Sequence, residues 1–260
     1  MARAVTAMRK ALASADAAYR RARPRRAAVL GVLEPLASGR RGFEVGGPSE
    51  IFSPSGPLPV YEHLASLDNA NYSDQTLWEG TIEQGQTFTF HPGKPAGRAY
   101  IAEATDLRDV PSEGYEVLLS SHTLEHVADP LRALREWMRI LEPGGALCVI
   151  VPQREATFDH RRPVTTLEHL IEDERRGTGE DDLTHLPEIL ELHDLQRDVL
   201  AGTPEQFEAR CRENLRFRAM HQHVFDVDLL SRALGHVGAE VLATCTERPF
   251  HVIAVARKPA

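Results

Sequence analysis

Tyr115 to Pro152 reads YEVLLSSHTLEHVADPLRALREWMRILEPGGALCVIVP, and this stretch decides the fold. It opens on a short apolar strand, Glu116 to Ser121, set off by Gly114. Ser121, His122 and Glu125 follow at the carboxyl end of that strand, where open α/β sheets bind their ligands. Asp129-Pro130 is an N-cap with proline at the first helical position. Leu131, Leu134, Met138 and Leu141 then recur at helical spacing, as one buried stripe. Pro143-Gly144-Gly145 ends the helix, and Ala146 to Val151 is a second apolar strand. Strand, helix and strand in so short a span form a βαβ unit, which requires a parallel pair.

The segments SSHTLEHVADP and LREWMRILEPGGALCVIVP resemble the central part of class I S-adenosylmethionine (SAM)-dependent methyltransferases. The resemblance covers Arg41 to Pro152 well and Val224 to Lys258 tolerably. It implies a Rossmann-like α/β fold: a doubly wound, mostly parallel seven-stranded sheet with an antiparallel last strand. Within the family, actinobacterial sugar and mannoside O-methyltransferases share such a core and use magnesium.

Gly42 to Ser49, GFEVGGPS, suits the first strand-to-loop turn of a nucleoside-binding sheet, because glycine admits positive φ and close backbone approach. Glu44, Gly46 and Gly47 match the family's first motif, whereas Pro48-Ser49 replace its further glycine. The full G-x-G-x-x-G pattern of a dinucleotide site is missing, which counts against a nicotinamide dehydrogenase. Leu64 to Ala70 is the expected second strand. The resemblance implies a ribose-binding residue at its end, Asp68 or Asn69. Trp78 is a candidate for facing the cofactor or for the core. Tyr100 to Ala104 is the expected third strand, and Glu103, Ala104 and Asp106 correspond to the family's adenine-binding stretch. Ser121 and His122 complete the cofactor-binding set that the resemblance implies.

About 70 residues, Gln153 to His221, stand where a small methyltransferase enters its next helix. Their pattern predicts helices over Val164–Arg176, Leu183–Leu200 and Pro204–Met220. The expected organisation is N-terminal helices over 1–40, a SAM-binding core over 41–153 and 222–260, and a helical cap over 154–221. The cap serves as a substrate lid, a dimer contact or both. Val224 to Gly235 is a helix, and Glu240 to Thr246 and His251 to Arg257 are the last two strands.

A net charge of -8 argues against a nucleic-acid partner bound through a broad basic surface. Met1 to Arg26 is rich in Ala and Arg but lacks the apolar core of a secretory signal. No apolar run spans a membrane. Cys148, Cys211 and Cys245 show no paired spacing, so a cytoplasmic setting is expected and a cysteine-built structural zinc site is not.

Methyl transfer from a sulfonium is an in-line displacement. A hydroxyl acceptor must lose its proton during attack, and histidine is the usual group for that task. His122, His160 and His223 are the candidate bases, with His221 beside the last. This supply favours an O-methyltransferase for a polar, hydroxylated small molecule such as a sugar or glycoside. The alternatives are an N-methyltransferase and a non-catalytic SAM-binding regulatory protein. Phe158 to Arg162, FDHRR, adds arginines that either hold the acceptor or pair with Glu168 and Glu172. If magnesium takes part, Asp159, His160 and His223 are its candidate ligands.

Overall fold

A computed structural model describes residues 26–76 and 80–260. The basic N-terminal stretch up to Arg25 and Trp78 lie outside the described residues. The chain begins with α1 (Leu30–Ala37), β1 (Arg41–Val45) and β2 (Ser66–Asn71). A two-residue hairpin of β3 (Gln75–Thr76) and β4 (Gly80–Thr81) comes next, then β5 (Gly85–Phe88) and β6 (Gly97–Ile101). The central unit is β7 (Tyr115–Ser121), α2 (Pro130–Ile140) and β8 (Leu141–Pro152). The insertion holds α3 (Leu167–Arg176), α4 (Leu186–Leu192), α5 (Pro204–Arg212) and α6 (Asn214–Phe217). The chain closes with α7 (Val227–His236), β9 (Glu240–Glu247) and β10 (His251–Arg257).

The main sheet runs β5-β6-β2-β1-β7-β8-β10-β9. It has eight strands, one more than the sequence predicts, because Gly85 to Phe88 pairs antiparallel along the outer edge of β6. The five strands from β6 to β8 are parallel, and β10 lies antiparallel between β8 and β9. This is the expected Rossmann-like α/β sheet, with the β9–β10 hairpin formed across Arg248-Pro249.

Alternation along β7 explains the two cores. Leu118 faces one layer with Leu131, Leu134 and Trp137 of α2 and with Leu229 and Leu230 of α7. Val117 and Leu119 face the other, with Leu33 of α1 and with Phe52, Leu58 and Leu64 from the segment between β1 and β2. The amphipathic stripe of α2 is therefore buried as its spacing requires, and the Asp129 carboxylate caps it by accepting from Arg132 N at 3.0 Å.

The insertion carries a small core of its own around Leu186, Ile189, Phe207, Cys211 and Met220. Its middle helix is shorter than its composition suggests. Helix α4 stops at Leu192, and Asp194 begins a turn by accepting from Gln196 N. The expected helix over 204–220 is likewise broken after Arg212 and ends at Phe217, where Arg218 turns left-handed with φ 47°.

Candidate active site

Strand order reverses between β1 and β7, so the crevice at their carboxyl ends is the topological switch point of the sheet. Two loops meet there. Gly46 and Gly47 leave β1 with φ of 83° and 85°, a conformation that L side chains adopt at a cost. A Cβ on Gly46 would lie 2.6 Å from Thr123 Oγ1, and one on Gly47 would lie 2.4 Å from the Glu44 carboxylate. The loop is thus kept to bare backbone, as close approach to a nucleoside requires. The Gly47-Pro48 peptide is cis.

The surrounding polar groups fix that loop. Glu44 is wholly buried and accepts from Tyr61 Oη at 2.6 Å, while Ser49 N donates to the same hydroxyl at 2.7 Å. Asn69 Nδ2 donates to Gly46 O at 2.6 Å. Asp68 is turned elsewhere: it accepts from Arg98 N at 2.6 Å and from Tyr115 Oη at 2.8 Å, tying β6 and β7 to β2. The residue at the very end of β2 is Asn71, whose amide reaches Gly47 O at 3.4 Å. Sequence reasoning placed the ribose contact at Asp68 or Asn69 because the strand was expected to end at Ala70. It runs one residue further.

Beyond β6, Glu103 forms an ion pair with Arg218 at 2.5 Å. Burial raises the Glu103 carboxyl, an effect opposed by that guanidinium. Ala104 contributes its carbonyl to Trp137 Nε1 at 3.1 Å. Asp106 is held by Arg108, whose Nε lies 2.9 Å away.

Beyond β7, Ser121 ends the strand and His122 follows with φ 54°, a left-handed conformation uncommon for a residue with a side chain. Its Nε2 meets His251 Nδ1 at 2.8 Å, and its Nδ1 lies 3.6 Å from Glu125 Oε1. Glu125 is buried, with His126 Nε2 3.8 Å from the same oxygen. Burial alone would raise this carboxyl, but His122, His126 and His221 outweigh it and hold the pKa below its ordinary value. Burial pushes His126 down to about 4, and its Nδ1 is hydrogen-bonded to Met220 O at 2.9 Å.

The insertion closes over this edge. Tyr72 beyond β2, Glu103 beyond β6 and His126 beyond β7 contact Arg216 O, the Arg218 side chain and Met220 O. Below them runs a buried network: Asp159 Oδ2 meets His221 Nδ1 at 2.5 Å, and Asp159 Oδ1 accepts from Arg162 Nη1 at 3.1 Å. Arg162 also donates to His221 O at 2.8 Å and pairs with Glu188 at 2.8 Å. Burial lowers the pKa of His221, but Asp159 and Glu125 more than offset it and leave it raised.

The residues singled out as metal ligands do not converge. Asp159 is occupied by His221 and Arg162, and His160 Nε2 bonds Asp194 Oδ2 at 2.9 Å. His223 is buried in a separate group. The arginines of FDHRR pair neither with Glu168 nor with Glu172: Arg161 meets Asp194, and Glu168 and Glu172 have other arginine partners. His126 and Asn71 stand at this edge although sequence reasoning did not choose them, and His221, noted in the sequence beside His223, reaches it through Asp159 and Arg162. For His126 the available signal was its place one residue after Glu125, at the carboxyl end of β7.

Residues 60–149 match the family model described as a methyltransferase domain. Among solved structures, the chain is similar to an S-adenosylmethionine-dependent methyltransferase from Mesorhizobium loti, with 16% identity, 88% of this chain and 95% of that chain covered, and a TM-score of 0.50. It is also similar to a putative S-adenosylmethionine-dependent methyltransferase from Listeria monocytogenes, at 16% identity over 89% and 96% of the two chains, with a TM-score of 0.49. No curated protein matches the sequence.

Proposed function

We propose that this chain is an S-adenosylmethionine-dependent methyltransferase that methylates a hydroxyl of a polar small molecule, with a sugar or glycoside as the substrate class; the methyltransferase-domain match over residues 60–149 and the Rossmann-like sheet support the reading. The bare Gly46-Gly47 backbone, the Asn71 amide and the Glu103 side chain would hold SAM along the carboxyl edge. When bound, SAM supplies a methyl group made electrophilic by its sulfonium.

The chain's own residues have three tasks. The first is to exclude water, which the contacts of residues 216–220 with the strand ends serve. The second is to orient the acceptor, and such positioning can lower a barrier by several kcal/mol. The third is to take the hydroxyl proton as the oxygen attacks. We assign it to His122, which stands at the switch point with the buried Glu125 carboxylate 3.6 Å from its Nδ1 and whose Nε2 would exchange its 2.8 Å contact with His251 for the acceptor hydroxyl. Glu125 orients the imidazole and balances the charge it gains, as a buried carboxylate does for a catalytic histidine. His160 and His223 lie outside this pairing, and no step is assigned to a metal held by Asp159, His160 and His223, because these three do not share a site.

The observation that carries the reading is the His122–Glu125 arrangement at 3.6 Å on the strand edge facing the glycine loop. Incubation with methyl-labelled SAM and a panel of glycosides and amines tests it. Label on a glycoside, lost in His122→Ala, supports the reading. Label on an amine only, undiminished in His122→Ala, makes the chain an N-methyltransferase.

A further inference from the structure

Four side chains outside the catalytic edge meet between the insertion and the segment that returns to the core. His169 and Asp173 are four residues apart on α3 and so share one face of that helix. His185 precedes α4, and His223 lies between the insertion and α7. One nitrogen or carboxylate oxygen from each lies within 4.8 Å of all the others. The separations that define the group are shorter. His169 Nε2 is 3.1 Å from His185 Nε2 and 3.2 Å from Asp173 Oδ2, and the His223 ring stands beside the same oxygen, offering its unpartnered Nδ1 as the donor. Zinc bonds of ~2.0–2.1 Å in a tetrahedron put neighbouring donors about 3.3 Å apart, so the His169–His185 and His169–Asp173 separations already match that spacing.

We infer that His169, Asp173, His185 and His223 form a four-donor site for a first-row divalent cation, Zn2+ by its donor set and geometry, which ties the insertion to the methyltransferase core. Two further features point the same way. Asp173 Oδ2 and His223 Nδ1 are buried and have no hydrogen-bond partner among the described residues. The remaining atoms are held from outside: Thr178 Oγ1 donates to Asp173 Oδ1 at 3.2 Å, and His223 Nε2 is 3.3 Å from Ala128 O. Such outer contacts are what orient ligands in metal sites. Nitrogen-rich sites of this kind select zinc over magnesium, which prefers oxygen.

The site joins two bodies through Ala128, which follows β7, and His223, whose N donates to Glu125 O at 3.2 Å. It is independent of the acceptor and of the proposed base.

The test is metal analysis of the full-length protein as purified, followed by dialysis against chelator and back-titration with ZnCl2 and with CoCl2. The inference expects close to one zinc per chain, a lower melting temperature after chelation that zinc restores, and the visible bands of tetrahedral cobalt in the Co2+ form. His185→Ala and Asp173→Asn should lose the metal, whereas His160→Ala should keep it. Either no stoichiometric zinc uptake by the folded wild-type chain or unchanged zinc content in His185→Ala would overturn it. Because the cobalt spectrum is read on the wild-type protein, the inference stays falsifiable even if a variant does not fold.

Discussion

Arg218, in the insertion, forms an ion pair with Glu103 at the carboxyl end of β6, and its guanidinium also pairs with Glu180 and lies over the Tyr72 ring. One buried cation therefore joins the sheet edge to the segment that covers it. Its two partners differ in exposure, with the Glu103 side chain 40% exposed and that of Glu180 12%. Removing one partner of a buried pair costs about 3–5 kcal/mol, whereas an exposed pair contributes about 0–1 kcal/mol. Glu180→Ala should therefore destabilise the protein more than Glu103→Ala, by roughly 2 kcal/mol or more on the same reasoning. Urea unfolding of the two variants checks the order, and equal losses, or a larger loss in Glu103→Ala, would contradict it.

The proton-transfer role proposed for His122 would separate binding from turnover. His122→Ala should lower kcat by about 10²–10⁴-fold, the usual range for a lost general base. Affinity for S-adenosylhomocysteine should stay within a few-fold of wild type, because the glycine loop and Asn71 are untouched. Steady-state kinetics and a binding titration on the same preparation measure both.

Trp137 is wholly buried on α2, and its Nε1 donates to Ala104 O at 3.1 Å. Trp137→Ala leaves a cavity and an unmatched carbonyl next to the β6 loop. It should cost about 3–5 kcal/mol, read from the shift in the denaturant midpoint at constant slope.

Asp159 sets a pH window. Burial raises its carboxyl, but His221 and Arg162 outweigh that and hold it down at about 2. In the unfolded chain it titrates near 3.9, so the folded state binds the proton more weakly. The stability this group contributes is then present in full above about pH 4 and is lost as pH falls through about 2. Asp159→Asn should flatten the acid limb of the stability curve between about pH 4 and 2. Thermal melts of wild type and variant across that range give the comparison.

Much of the fold was legible because its signals are local. The stripe of Leu131, Leu134 and Met138, the Asp129-Pro130 start and the apolar run Ala146 to Val151 each decide an element without outside help. Gln86 to Gly97 reads from sequence as a surface hairpin or loop, and β5 within it was not counted as a sheet strand because Gly85 to Phe88 is short, half exposed and paired at an edge. Helix α4 was overextended because Leu195 and Val199 continue the apolar spacing, while the turn at Asp194 depends on tertiary bonds to His160 and Arg161. The site divides the same way. Gly46, Gly47 and His122 lie in loops adjoining their strands, where position along the sequence implies position at the sheet edge. The fates of Asp159, His160 and His223 were set by long-range partners such as His221, Asp194 and Ala128, which a linear spacing does not carry.

The central claim is that the edge formed by Gly46, Gly47 and Asn71 binds the methyl donor. Isothermal titration of the protein with SAM and with S-adenosylhomocysteine tests it most directly. Saturable one-to-one binding of both ligands, abolished in Gly46→Val and weakened several-fold in Asn71→Ala, is the predicted result. Absence of binding by either ligand to the folded protein, or full affinity in Gly46→Val, would contradict the account.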